Sequence, residues 1–294
     1  LHAFVARVSK DDVYATAKLL LLSVVLLPLL SDEDLGPWGA LNPRAIGILV
    51  VLISGIGFAG YVAVRVFGPK KGLGLTGLLG GLASSTAVTL TFSGRAKETP
   101  ELTPACAVAI VLAGATMFPR VAIELSAVSP SLAGAMAWPL GVGTAVSLLV
   151  GGVLYARLSR ERRGALEAPL VLKNPLTLSS AFKFALLFVA VLLVSKAAQT
   201  YFAATGVLLS ALVTGLADVD AIALSVAALH RHGGVDTTVA VLAVVIAIFA
   251  NSLAKTGIAL VLGGRALALR VGAALAIGVA ATFATALFAY GLPA

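Results

Sequence analysis

Gly215-Leu216-Ala217-Asp218-Val219-Asp220 lies inside an otherwise apolar segment, residues 206–229, and its two acids decide how the chain is read. A charged side chain at the centre of a bilayer costs at least about 2.5–3.5 kcal/mol on insertion scales, so an intramembrane acid is a functional candidate by default. The stretch has a counterpart. Gly81-Leu82-Ala83-Ser84-Ser85-Thr86 sits in the first half of the chain in the same setting, with hydroxyls where the acids stand.

The background is that of a membrane protein. Of 294 residues, 60% are hydrophobic and 12% charged, and mean hydropathy is +1.05. A soluble domain is about 45–50% apolar and about 25% charged. The fold class expected is therefore all-α, a polytopic transmembrane helical bundle. The net charge of +8 falls in short clusters between apolar runs, the pattern of cytoplasmic loops rather than of a nucleic-acid surface. Cys106 stands alone, so it forms no internal disulfide and reads as a packed small residue. No Walker A sequence, HExxH or Ser-His-Asp order is present, and enzyme chemistry is not indicated. No resident cofactor is expected, although a bound small ion fits.

The apolar runs repeat. A first span covers about 13–30; its core is short enough for a signal peptide, but acids follow it instead of a small-x-small cleavage site. Spans at 45–66, 73–93, 105–125 and 132–158 then correspond to 184–202, 206–229, 239–262 and 266–290. Asn42-Pro43 matches Asn174-Pro175, Ala87 matches Ala221, and Arg120 matches Lys255, all offset by 132–135 residues. A basic residue recurring inside corresponding spans argues for internal duplication. The division expected is 1–41 for the N-terminal helix and acidic loop, 42–173 for repeat 1, and 174–294 for repeat 2, both repeats forming one membrane domain.

Charge sets the expected topology. If every segment crosses, the Arg157–Arg163 cluster lies outside, against the positive-inside rule. If 73–93 enters and leaves on one side, Arg7, Lys10, Arg65, Lys70, Lys71, Arg95, Lys97 and the Arg157–Arg163 cluster are all cytoplasmic, and Asp32–Asp34 is outside. Only His230-Arg231-His232 is then off-pattern. Each repeat becomes three spans plus a re-entrant hairpin, and three being odd, the repeats are inverted. Ser and Asp are favoured helix N-caps, and upstream glycine lets the backbone turn, so Ser84 and Asp218 are expected to start the second half-helix of each hairpin. Glycine here could instead mark close helix packing.

The candidate binding residues are Ser84, Ser85, Thr86, Thr116, Asp218, Asp220 and Asn251, with Arg120, Glu124 and Lys255 as charge partners. Thr116, Arg120 and Glu124 share one helix face by their spacing of four, and Asn251 and Lys255 share the corresponding face. Asp218 is expected to cap, leaving Asp220 free to titrate. The bland alternative is structural pairing: Arg120 with Glu124, and Asp218 or Asp220 with Lys255. His230 and His232, lacking a third ligand, read as solvated loop residues rather than a metal pair.

Asn42-Pro43-Arg44 before Leu49-Val50-Val51-Leu52-Ile53-Ser54-Gly55, together with the two glycine-led stretches, resembles the membrane domain found behind MgtC/SapB-type domains in bacterial proteins. The resemblance implies a bacterial inner-membrane location, an upstream MgtC-like domain preceding Leu1, and a link to ion homeostasis. It supplies no substrate and no site residues.

Two functions compete. One is a transporter or channel for a small ion or polar solute, cation- or proton-coupled, with its site at the midplane between two broken helices. The other is a membrane regulatory or scaffold protein controlling a partner ion pump, its intramembrane charges structural. The expected partners are the lipid bilayer and the solute. A homodimer is compatible with either function, and nucleic acid with neither.

Overall fold

Two residues with extended backbone interrupt the helices at matching places: Ser84 (φ −169°, ψ 105°) and Asp218 (φ −157°, ψ 128°). The computed structural model describes residues 10–36, 41–67, 72–161 and 178–291. The basic loop beyond 161 and the expected boundary at 173 lie outside the described residues, as do residues 1–9 and 68–71.

Every regular element described is helical. Helix α1 (Lys10–Leu20) continues through a π-helical stretch, Leu21–Leu26, and a last turn, Leu27–Leu29. Pro28 lies in that last turn and has no N–H to give to the preceding ladder. Past it, the Leu35 and Leu41 backbones pair at 2.7 and 3.0 Å. Asn42 then starts α2 (Pro43–Phe67). Its Oδ1 accepts from Ala45 N at 2.9 Å, and Pro43 fits the first helical position, where no N–H is needed.

Helix α3 (Gly72–Glu98) carries the break at Ser84. The span expected at 105–125 is two helices, α4 (Thr103–Ala115) and α5 (Met117–Val128), joined at Thr116. Pro119 is the cause: it cannot donate to the Ala115 carbonyl, and its ring crowds that oxygen. Helix α6 (Pro130–Glu161) completes the first half.

Helix α7 (Leu178–Ala217) contains a sharp turn at Ala203 (φ 49°, ψ −135°). Ser210 Oγ donates to Ser195 Oγ at 3.4 Å across that turn, so the two arms lie side by side. Helices α8 (Val219–Arg231), α9 (Thr237–Gly263) and α10 (Arg265–Tyr290) follow. Among the described residues, five segments are long and apolar enough to cross a membrane: Pro100–Val128, Pro130–Leu158, Thr200–Ala217, Thr237–Gly263 and Arg265–Tyr290. The protein is an all-α polytopic membrane bundle.

The core is in two parts. One cluster gathers α5, α8 and the first half of α9 around Met117, Phe118, Ile222 and Val244. The other gathers the end of α3 with α4 and the far ends of α6 and α9 around Phe92, Ile110, Leu158 and Ala259. Thr116, and Asn251 to Lys255 on α9, fall at the junction between them. Small residues permit the close approaches. A Cβ at Gly81 would land against the Ala113 backbone and Thr116 Oγ1, and one at Gly215 against the Ala247 backbone.

Candidate functional site

Both breaks are capped by their own side chains. Asp218 Oδ1 accepts from Asp220 N at 2.7 Å and from Ala221 N at 3.0 Å. Ser84 Oγ accepts from Ala87 N at 3.2 Å. The carboxylate takes two of the amides a helix start leaves unpaired, and the hydroxyl takes one.

Beside the second break sits a buried ion pair. Arg120 Nη2 lies 2.5 Å from Asp220 Oδ2, with the two side chains 12% and 4% exposed. Asp220 is the second residue of α8 and Arg120 lies on α5, so the pair joins the two halves of the chain. Arg120 Nε also lies 3.8 Å from Glu124 Oε1, one turn along the same helix. Glu124 is fully buried, and neither of its oxygens has a hydrogen-bond partner among the described residues; the same holds for Asp220 Oδ1.

Asp220 is therefore committed to Arg120, where spacing alone left it free. Lys255 is equally buried, but its Nζ donates to Met117 Sδ at 3.6 Å. No carboxylate among the described residues pairs with it, so the expected Asp218 or Asp220 partner is not found. Asn251 Nδ2 donates to Gly215 O at 3.3 Å, holding α9 against the turn before the second break. Thr116 packs against Gly81 before the first break, and its hydroxyl donates back to Ala113 O at 2.8 Å. Thr89, Thr91 and Ser225 likewise donate to carbonyls of their own helices. Ser85 is buried, and neither it nor Thr86 makes a side-chain hydrogen bond among the described residues.

Sequence reasoning missed one polar connection. His230 Nδ1 meets Ser129 Oγ at 3.0 Å and His230 Nε2 meets Thr237 Oγ1 at 3.1 Å, so this histidine ties the end of α8 to both halves. Only tertiary packing brings Ser129 there. Among the described residues, no group of three or more His, Cys, Asp or Glu is placed to hold a metal ion.

Residues 51–263 match the model of a domain of unknown function, DUF4010. The chain belongs to that family. DUF4010 associates with MgtC-like membrane proteins, as the sequence resemblance implied. An uncharacterised protein of Aquifex aeolicus (strain VF5) is 31% identical over 202 residues, 67% of this chain and 86% of the relative. No solved structure matches. A multi-pass protein with a bacterial relative is consistent with an inner-membrane location.

Proposed function

We propose that the protein moves a small ion or polar solute across the bacterial inner membrane, coupled to a cation or proton, at a site between two broken helices. The observation that carries this reading is the Arg120–Asp220 pair: an intramembrane charge from one half of the chain meets the interrupted helix of the other. Irregular backbone at membrane depth is tolerated where protein buries it or a watery cavity receives it, and facing discontinuous helices of inverted repeats form many transporter sites.

Several proximities support inverted repeats. Gly77 lies against Ala109 and Gly81 against Ala113, so the first half of α3 runs in the same sense as α4. Past Ser84, Ser93 lies against Gly263, and Phe92 clusters with Ala105, Leu158 and Leu267. These neighbours lie at the end of the bundle where α3 began. In the second half, Gly215 lies against Ala247, so the arm before Asp218 runs with α9. Past Asp218, His230 meets Thr237 at the start of α9, together with Ser129. That hairpin thus returns to the opposite end. On this reading, residues 42–173 and 174–294 are the two repeats and 1–41 an added N-terminal element.

Ser84, Ser85, Thr86 and Thr116 then face the site from repeat 1, and Asp218, Asp220 and Asn251 from repeat 2. Arg120, Glu124 and Lys255 set its charge. The rival reading, a regulatory or scaffold protein for a partner pump, is favoured by the pair being completed within the chain. Reconstituted liposomes separate the two. Transport predicts dissipation of an imposed proton or sodium gradient above the protein-free rate, lost in Asp220→Asn with the fold retained. Absence of flux for protons, sodium, potassium and chloride would favour the rival.

A further inference from the structure

The two breaks are alike in backbone and unlike in charge. At an offset of 134–135 residues, Asp218 corresponds to Ser84, Asp220 to Thr86, and Arg120 to Lys255. In repeat 2 the helix start carries two acids, and the cation that reaches it, Arg120, is paired. In repeat 1 the helix start carries hydroxyls only. The cation at the corresponding place, Lys255, has no exposed surface and, among the described residues, only a thioether sulfur, a weak acceptor, as its partner.

Packing places Lys255 at the first break. Gly263 lies against Ser93, and α9 runs alongside the second half of α3 in the same sense. Eight residues back on each helix, at 1.5 Å per residue, Lys255 comes level with Ser85. Its sulfur neighbour, Met117, follows Thr116, which packs on Gly81 just before the break. Ser85 is buried, and the Ser85 and Thr86 hydroxyls make no hydrogen bond among the described residues. The helix after Ser84 runs to Glu98, and its start carries roughly half a positive charge. Asp218 and Asp220 contribute negative charge to the other helix start, whereas Ser84, Ser85 and Thr86 bring hydroxyls to this one.

We infer that the break in α3 binds a small anion, a halide or small oxyanion, held by the Lys255 ammonium, the Ser85 and Thr86 hydroxyls and the helix start after Ser84. The site deepens the transport reading by naming its substrate class, and it rests on that reading's pairing of the two repeats.

The test titrates chloride, nitrate or phosphate against gluconate at constant ionic strength and follows thermal unfolding of the detergent-solubilised protein. At least one anion should raise Tm saturably. Lys255→Met should weaken that response at least about tenfold, or about 1.4 kcal/mol of binding, while Lys255→Arg retains it. Should Lys255→Met fail to fold, Thr86→Asp carries the test, because it copies the second repeat's acid into the first. It should fold, raise anion-free stability and abolish the anion response. No saturable response to any of the three anions, or an unchanged response in Lys255→Met and Thr86→Asp, overturns the site. Anion binding without flux in liposomes would keep the site and remove transport. Proton or sodium flux indifferent to these anions and to Thr86→Asp would do the reverse.

Discussion

Breaking the Arg120–Asp220 pair from either side should give unequal losses. At an effective dielectric near 20, unit charges about 4 Å apart attract by about 4 kcal/mol, and removing one member of a buried pair typically costs about 3–5 kcal/mol. Asp220→Asn leaves Arg120 with Glu124 at 3.8 Å, so its loss should fall to about 2 kcal/mol. Arg120→Met leaves Asp220 and Glu124 buried without a cation, Glu124 having no hydrogen bond of its own, and should cost about 4 kcal/mol or more. The double variant should recover much of that, a coupling of about 2–3 kcal/mol. Reversible SDS-induced unfolding in mixed micelles measures all four proteins. Equal single losses with coupling below about 0.5 kcal/mol would refute the reasoning. Lys255→Met combined with Asp220→Asn serves as control, with markedly smaller coupling than the Arg120 pair, because Lys255 bonds Met117 instead.

Three further predictions use the same unfolding assay. Asp218→Asn keeps the capping oxygen and should change stability by less than about 0.5 kcal/mol, whereas Asp218→Ala should cost about 0.5–2 kcal/mol. Gly81→Ala drives a methyl into the Ala113 backbone and should cost about 1–3 kcal/mol, while Gly55→Ala, with nothing within 4 Å, should be neutral or stabilising. Ala203→Gly relieves a positive φ of 49° and should stabilise by about 1 kcal/mol.

The breaks were legible in the sequence because their signal is local. A capping side chain behind glycine, inside an apolar run, has few other uses, and Ser84 and Asp218 both adopt extended backbone. The interruption at Thr116 was equally local, written in Pro119, but apolar continuity across 105–125 masked it. What the sequence could not reveal were partners across the fold. Spacing offered Arg120 only Glu124, four residues away, yet its close partner lies 100 residues on. The same limit hid the His230–Ser129 contact, 101 residues apart. The turn at Ala203 lacked a marker at its own position, since alanine rarely takes positive φ. Its nearest sign was Gly206, whose missing side chain lets it sit against Ala198 and Phe202.

The account stands on the two broken helices entering from opposite faces, and sided cysteine labelling tests that most directly. In a Cys106→Ser background, single cysteines replace Ala204, His232, Lys97 and Arg157, and intact cells or sealed vesicles are exposed to a membrane-impermeant thiol reagent. Ala204→Cys and His232→Cys flank the segment broken at Asp218 and should label from one face, with Lys97→Cys and Arg157→Cys labelling from the other. Labelling of Ala204→Cys and His232→Cys from opposite faces would make that segment a full crossing and contradict the account.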